Sequence, residues 1–334
     1  MKKFLLILAA AFAVLVAVLL IRTALHQPAA LEAVEPVEMA LDDAAIAAQL
    51  AEAIRFKTIS HQSEAEFEPG EFNGFIAWVE ARYPPFHSAA ELTLLGDYTM
   101  LYRLPGSDPR AQPILLTGHY DVVPVIPGTE AIWEEAPFAG VIRDGVIWGR
   151  GALDDKSAVI AQLEAASALI EQGFQPERDV YFSFGHDEEV GGFRGAASVV
   201  RHLQDQGVQL AWSLDEGSFV FDGLLPGVEP YFAAINVAEK GSLTLQIVAT
   251  AAGGHSSMPP RQTAVGLLAE AIVRLESNPV PGGLTGLSGT MFDTASRYMP
   301  FTYRMLFANR WLFDALIEDQ LSGVTFSNAM LRTT

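Results

Sequence analysis

No cysteine occurs anywhere in the 334 residues. That removes disulfides, thiolate metal sites and a cysteine nucleophile, and leaves histidine and carboxylate as the ligands any metal ion would have to use. Basic residues are scarce as well. The 21 Lys and Arg stand against 40 Asp and Glu, a formal charge of −19, so no basic patch could dominate the surface and nucleic acid is not expected as a partner. Internal repeats are absent, and the one low-complexity tract is an Ala/Leu/Val run at the N-terminus. Apolar side chains, by contrast, make up half of the chain. That is enough to bury the core of one large domain or two ordinary ones, and it sets disorder aside.

Lys2 and Lys3 precede an uncharged apolar run from Phe4 to Ile21, closed by Arg22. The run approaches the ~20 residues of a spanning helix and exceeds the 7–15 of an ordinary signal-peptide core. Residues 1–22 are therefore expected to form a membrane anchor, with the body outside the cytoplasm because the lysines stay inside. Cleavage at Ala11-Phe12-Ala13, giving a secreted or periplasmic protein, is the alternative. Residues 23–40, with Pro28 and Pro36, read as a linker.

From Leu41 the pattern becomes that of a folded domain. Helical spacing marks 44–55, 72–83, 156–171 and 194–206, while apolar runs at 98–104, 113–117, 179–184 and 210–214 read as buried strands. Alternating strands and helices imply an α/β fold, a mostly parallel sheet sandwiched by helices. Asp144-Gly145 between Val141 and Trp148 signals a hairpin. A second composition begins near Ala238: an alternating strand over 242–250, a glycine-rich turn and a helix over 263–275. The expected organisation is thus a catalytic domain at 41–237 and a smaller α+β domain at 238–334.

Four clusters stand where strands are expected to end, which is where open α/β sheets place their ligand sites. They are Gly118-His119-Tyr120-Asp121, Asp154-Asp155-Lys156, His186-Asp187-Glu188-Glu189 and Asp215-Glu216. Each has a plain structural reading: His119 a hydrogen-bonded residue, Asp154 and Asp155 helix caps, Glu188-Glu189 a solvated turn, Asp215 a loop residue. Together they form a ligand set suited to a pair of zinc ions, because that many acids gathered unpaired would be costly. Such a pair needs a bridging carboxylate and activates a water for attack on a carbonyl, with a nearby carboxylate taking its proton.

Three stretches, 116–124, 148–156 and 185–192, together with Gly253-Gly254-His255-Ser256-Ser257-Met258-Pro259, resemble successive signatures of one family. It is the di-zinc metallopeptidase family of acetylornithine deacetylase, succinyl-diaminopimelate desuccinylase, aminoacylase and carboxypeptidase S. The likeness is greatest to the branch of carboxypeptidase S and the secreted N-acyl-amino-acid hydrolases. The resemblance implies a zinc-exopeptidase-like catalytic domain with an inserted lid or dimerisation domain, and hence a homodimer. It also implies two zinc ions, with cobalt or manganese as alternatives, held by His119, Asp154 as the bridge, Glu189 and Asp215. Asp121 would hold the imidazole of His119, Glu188 would be the general base, and His255 would approach from the lid to stabilise the oxyanion. The implied substrates are small peptides or N-acyl amino acids.

The family adds one more histidine ligand from a C-terminal return segment, and no histidine follows His255. Phe326–Thr334 reads as the start of a strand, so the chain is expected to be C-terminally truncated. Met299–Leu316, rich in Phe, Met, Leu and Trp, reads as a second lid helix serving as core, dimer interface or acyl-chain groove. A non-catalytic membrane-tethered binding or assembly module is the competing reading, and Glu188 speaks against it.

Overall fold

A computed structural model describes residues 1–30, 39, 41–217, 219–221, 223, 228 and 231–332. Half of the expected linker over 23–40, residues 31–38 and 40, lies outside them. The chain divides into two compact units, one of Pro36–Glu216 and one combining Met1–Glu35 with Gly217–Thr334.

Helix α1 (Lys2–Leu25) belongs to the second of these, and it is long and apolar enough to cross a membrane. The Pro36–Glu216 unit opens with α2 (Asp43–Ile54), α3 (Pro69–Arg82) and α4 (Pro84–Ala89). Local chemistry starts each of them. The Asp42 carboxylate accepts from the Ala45 N–H at 3.0 Å, and prolines occupy the first turns of α3 and α4, where a missing N–H costs nothing.

Strands β1 (Glu91–Leu95), β2 (Thr99–Leu104) and β3 (Ile114–His119) follow, then the small hairpin β4 (Val141–Arg143) and β5 (Val146–Trp148). Asp144 and Gly145 both have positive φ (53° and 78°), the conformation that a two-residue hairpin turn of this twist requires. Helix α5 (Lys156–Glu171), β6 (Val180–Gly185), α6 (Ala196–Asp205) and β7 (Trp212–Leu214) complete the unit.

The main sheet runs in the order β1-β2-β6-β3-β7 and is mixed. β6, β3 and β7 are parallel to one another, whereas β2 is antiparallel to both β6 and β1. The α/β architecture holds, and its parallel half is the half that carries the site. One face of the sheet covers an aromatic core in which Phe72, Phe75, Phe86, Tyr102, Tyr120 and Phe184 are wholly buried. Phe75 and Tyr120 stack at 4.5 Å between ring centroids.

The other unit contains the two-residue strands β8 (Val220–Phe221) and β9 (Phe232–Ala233) and a helical layer. Its helices are α7 (Ala264–Ser277), α8 (Gly286–Ser296), α9 (Phe301–Ala308), α10 (Arg310–Ser322) and α11 (Thr325–Leu331). Three expectations are corrected here. Residues 242–250 form no strand: alternation supplies a face, but a strand exists only with a ladder partner, and Leu243, Leu245 and Ile247 are all exposed. Phe326–Leu331 is helical, because Ser327 and Leu331, four residues apart, are the buried pair; the end of that stretch, 333–334, lies outside the described residues. Met299–Leu316 is two helices rather than one, broken at Asn309, whose side-chain amide donates to the Met305 carbonyl at 2.9 Å.

Candidate metal and catalytic site

The parallel strands β6, β3 and β7 end side by side, His119 pairing with Gly185 and Leu116 with Leu214. The residues just beyond those ends therefore meet at one rim, as expected outside the carboxyl ends of parallel strands.

Side chains alternate across a strand, and the alternation continues past the end of β3. His119 and Asp121 meet, while Tyr120 between them enters the core and donates its hydroxyl to the Tyr98 carbonyl at 2.7 Å. The segment is clipped to residues 58–60: the Val122 N–H donates to Thr58 O (2.9 Å) and the Ser60 N–H to Val122 O (3.0 Å).

Asp121 has no exposed surface and organises two elements at once. Its carboxylate lies 3.3 Å from His119 Nδ1. It also accepts from the Ser60 hydroxyl (2.5 Å) and from the backbone N–H groups of Glu188 (3.2 Å) and Glu189 (3.1 Å). Asp121 thus sets the pose of both: its main-chain carbonyl lies 3.1 Å from His119 Nδ1 with the carboxylate beside it, and the carboxylate holds the turn that presents the two glutamates.

On the other side of the ring, Nε2 faces Asp154 at 3.0 Å, Glu216 at 3.1 Å and Glu188 at 3.8 Å. Burial pulls the His119 pKa down, but the hydrogen bonds with Asp121 and Glu216 outweigh it and carry it up to about 12. Burial pushes Glu188 up, and pushes Glu189 up to about 7, with Asp154 adding to the latter. One imidazole nitrogen can present at most one proton, yet three carboxylates converge on it. The donor atoms of His119, Asp154 and Glu216 lie within 4.8 Å of one another. This is the crowding that a divalent cation relieves, and the donors fit one.

Neighbours of the same motifs do structural work. The Asp155 carboxylate accepts from the His119 N–H at 3.2 Å; burial, then Glu216, raises its pKa to about 7. Lys156 is wholly buried at the start of α5 and donates to the carbonyls of Ala53 (3.0 Å) and Phe56 (2.6 Å). Asp187 accepts from the N–H groups of Arg194 (2.8 Å) and Gly195 (2.9 Å).

The fold therefore brings together His119, Asp121, Asp154 and Glu188, with Glu189 fixed beside them by its backbone. Asp215 is bonded to the Thr117 hydroxyl and to the Glu216 N–H, and it is Glu216 that faces His119. The family resemblance assigns the metal to Asp215 of this pair, and in the structure its neighbour Glu216 is the member within 3.1 Å of His119 Nε2. His255 belongs to the other unit. It is exposed, and its Nδ1 accepts from the Ser257 N–H at 3.2 Å and lies 2.8 Å from the Ser257 hydroxyl.

Residues 115–317 match Peptidase family M20/M25/M40. The chain is 40% identical over 299 residues to the probable carboxypeptidase S-like 2 of Dictyostelium discoideum, covering 88% of this chain and 57% of that protein. It is 40% identical over 285 residues to the N-fatty-acyl-amino acid synthase/hydrolase PM20D1 of Xenopus tropicalis, covering 84% and 55%. Among solved structures, human carnosine dipeptidase 1 matches with a TM-score of 0.45 at 21% identity, over 55% of this chain and 40% of that one. The chain spans a little over half the length of the two curated relatives. With the family match covering most of the chain and its relatives falling in the branch that the motifs resemble, the chain belongs to Peptidase family M20/M25/M40.

Proposed function

We propose that the chain carries the catalytic part of a metal-dependent hydrolase that cleaves the amide bond of small peptides or N-acyl amino acids. The observation that carries this reading is the convergence of Asp154, Glu188 and Glu216 on one nitrogen of a buried histidine. The metal set is His119, Asp154, Glu189 and Asp215, with Glu216 as a further carboxylate and two zinc ions as the complement. Metal bound there supplies Lewis-acid polarisation of the scissile carbonyl and a more acidic water.

The chain's own residues do the rest. Glu188, whose carboxyl burial raises above its ordinary value, takes the proton of the attacking water and passes it to the leaving nitrogen. Asp121 keeps the imidazole and the Glu188 turn in register. His255 is the oxyanion donor of the second domain, residues 238–334, through which a second copy of the chain would associate. α1 spans a membrane and holds the body outside the cytoplasm.

A long acyl group as part of the substrate draws support from the name of the Xenopus relative and from an apolar cavity of about 650 Å³ inside the helical unit. Phe219, Phe221, Met291, Phe307, Leu316 and Phe326 are among its lining residues.

The test is Glu188→Gln in the full-length protein. Turnover of N-acyl amino acids should fall by about 10²–10⁴-fold, with bound zinc unchanged by elemental analysis. Turnover that survives the change removes Glu188 from the mechanism, whereas absence of turnover in the unsubstituted full-length protein would favour the non-catalytic reading.

A further inference from the structure

Within the helical unit, α1 is held by matched polar groups as well as by apolar contact. Arg22 Nε donates to the Ala308 carbonyl at 2.9 Å. The Asn309 amide donates to the Leu19 carbonyl at 3.2 Å and lies 3.4 Å from the Thr23 hydroxyl. His26 Nε2 and the Ser296 hydroxyl are 2.8 Å apart, and Arg297 and Arg304 both reach Gln27. Thr23, Ser296 and Asn309 are wholly buried. Buried polar groups with specific partners fix register, so the end of α1 is keyed to the corner where α9 gives way to α10.

That register sets a height. The apolar stretch Phe4–Ile21 is about 27 Å of helix at ~1.5 Å per residue, close to the ~30 Å hydrocarbon thickness of a bilayer. Leu19 then lies about 3 Å inside the edge of the stretch, and Asn309, which bonds to its carbonyl, is at the same level.

The composition of the corner suits that place. In a chain of net charge −19, the stretch Arg297–Arg310 has three arginines, the aromatics Tyr298, Phe301, Tyr303 and Phe307, and no acid, with Arg297 and Arg310 pairing with Asp293 and Asp314 just beyond its ends; Trp311 follows it. Phe301, Trp311 and Leu312 are exposed at 52%, 58% and 47%. Aromatic side chains favour the lipid–water boundary, arginine stems extend along it, and anionic headgroups attract the charge.

We propose that the α9–α10 corner is seated in the lipid–water interface of the membrane that α1 crosses, with Phe301, Trp311 and Leu312 among the headgroups. The proposal rests on the reading of α1 as a membrane span. It makes the helical unit a bilayer-bound platform rather than a domain at the end of a tether.

The cysteine-free sequence allows a direct test. Single spin labels are placed through Phe301→Cys, Leu312→Cys, Val14→Cys in α1 and Ile132→Cys in the other unit. The full chain is reconstituted in phosphatidylcholine vesicles containing phosphatidylglycerol, and collisions with oxygen, which concentrates in lipid, are compared with those of a water-soluble nickel chelate. Nickel collisions at 301 and 312 should fall by about threefold or more relative to 132, with oxygen collisions retained and position 14 the most lipid-like. Free access of nickel to 301 and 312 with position 14 still in lipid would overturn the seating and leave the span intact. Nickel access at position 14 would remove the span, and the proposal with it. Exclusion of both reagents at 301 and 312 would mean that protein covers the corner, which also overturns the proposal.

Discussion

Gly118–Asp121 and Gly253–Pro259 are both short glycine-and-histidine motifs, and they end in opposite environments. His119 is 2% exposed, backed by a wholly buried aspartate and faced by carboxylates from three other segments. His255 is exposed, and its hydrogen bonds go to a serine two residues away. The difference lies in the backbone beneath each motif. β3 is paired on both sides, by β6 and β7, so the residues after it are delivered to a fixed place. The segment before His255 has no ladder. A histidine on a paired strand end is forced to settle its charge with its neighbours, whereas one on an unpaired segment keeps its options for a substrate or another surface.

The contrast can be broken most sharply at Asp121. Asp121→Asn removes the negative charge beside His119 and leaves one acceptor oxygen, with an NH2 donor in place of the other, for the Ser60 hydroxyl and the N–H groups of Glu188 and Glu189. Urea unfolding should show a loss of about 3–5 kcal/mol, as when one partner of a buried pair is removed, and zinc titration a 10–100-fold weaker site, as is usual when a ligand's support is lost. An unchanged unfolding midpoint would mean that the buried carboxylate does not organise the site.

A smaller effect is expected from Gly118→Ala. The added Cβ would stand 3.0 Å from the Asp155 carboxylate and 3.4 Å from a Val159 methyl. Overpacking of this kind costs about 1–3 kcal/mol, read as a lowered thermal midpoint with a shifted His119 environment by NMR. His255→Ala should be the mildest for the fold, within about 0.5 kcal/mol of the parent because the side chain is exposed. Its metal content should be unchanged while turnover of the full-length protein drops. Equal losses of stability and metal would make His255 structural and erase the contrast.

Much of the Pro36–Glu216 unit was legible from local pattern. α2, α5 and the β4–β5 hairpin announce themselves through helical spacing and an Asp-Gly turn, because capping and turn chemistry act over a few residues. β3 and β6 are apolar runs too short for helices. β1 was not legible: an edge strand with Leu94 half-exposed lacks the continuous apolar run of a central one. In the other unit, Leu243, Leu245 and Ile247 alternate as a strand should, but alternation cannot supply a hydrogen-bonding neighbour.

The sequence by itself determined the family and the chemistry available. Without cysteine, and with His119, Asp121, Asp154 and Glu188 placed after expected strands, a carboxylate–histidine metal site was the reading its motifs supported. Tertiary structure alone decided that Glu216, rather than Asp215, faces His119, that Asp121 governs the Glu188–Glu189 turn, and that Leu19–Gln27 is keyed to Ser296, Arg304 and Asn309. Each of these depends on groups brought together across long stretches of chain, where the packing of strands and helices sets direction to within an ångström and neighbouring residues in sequence compete on equal terms.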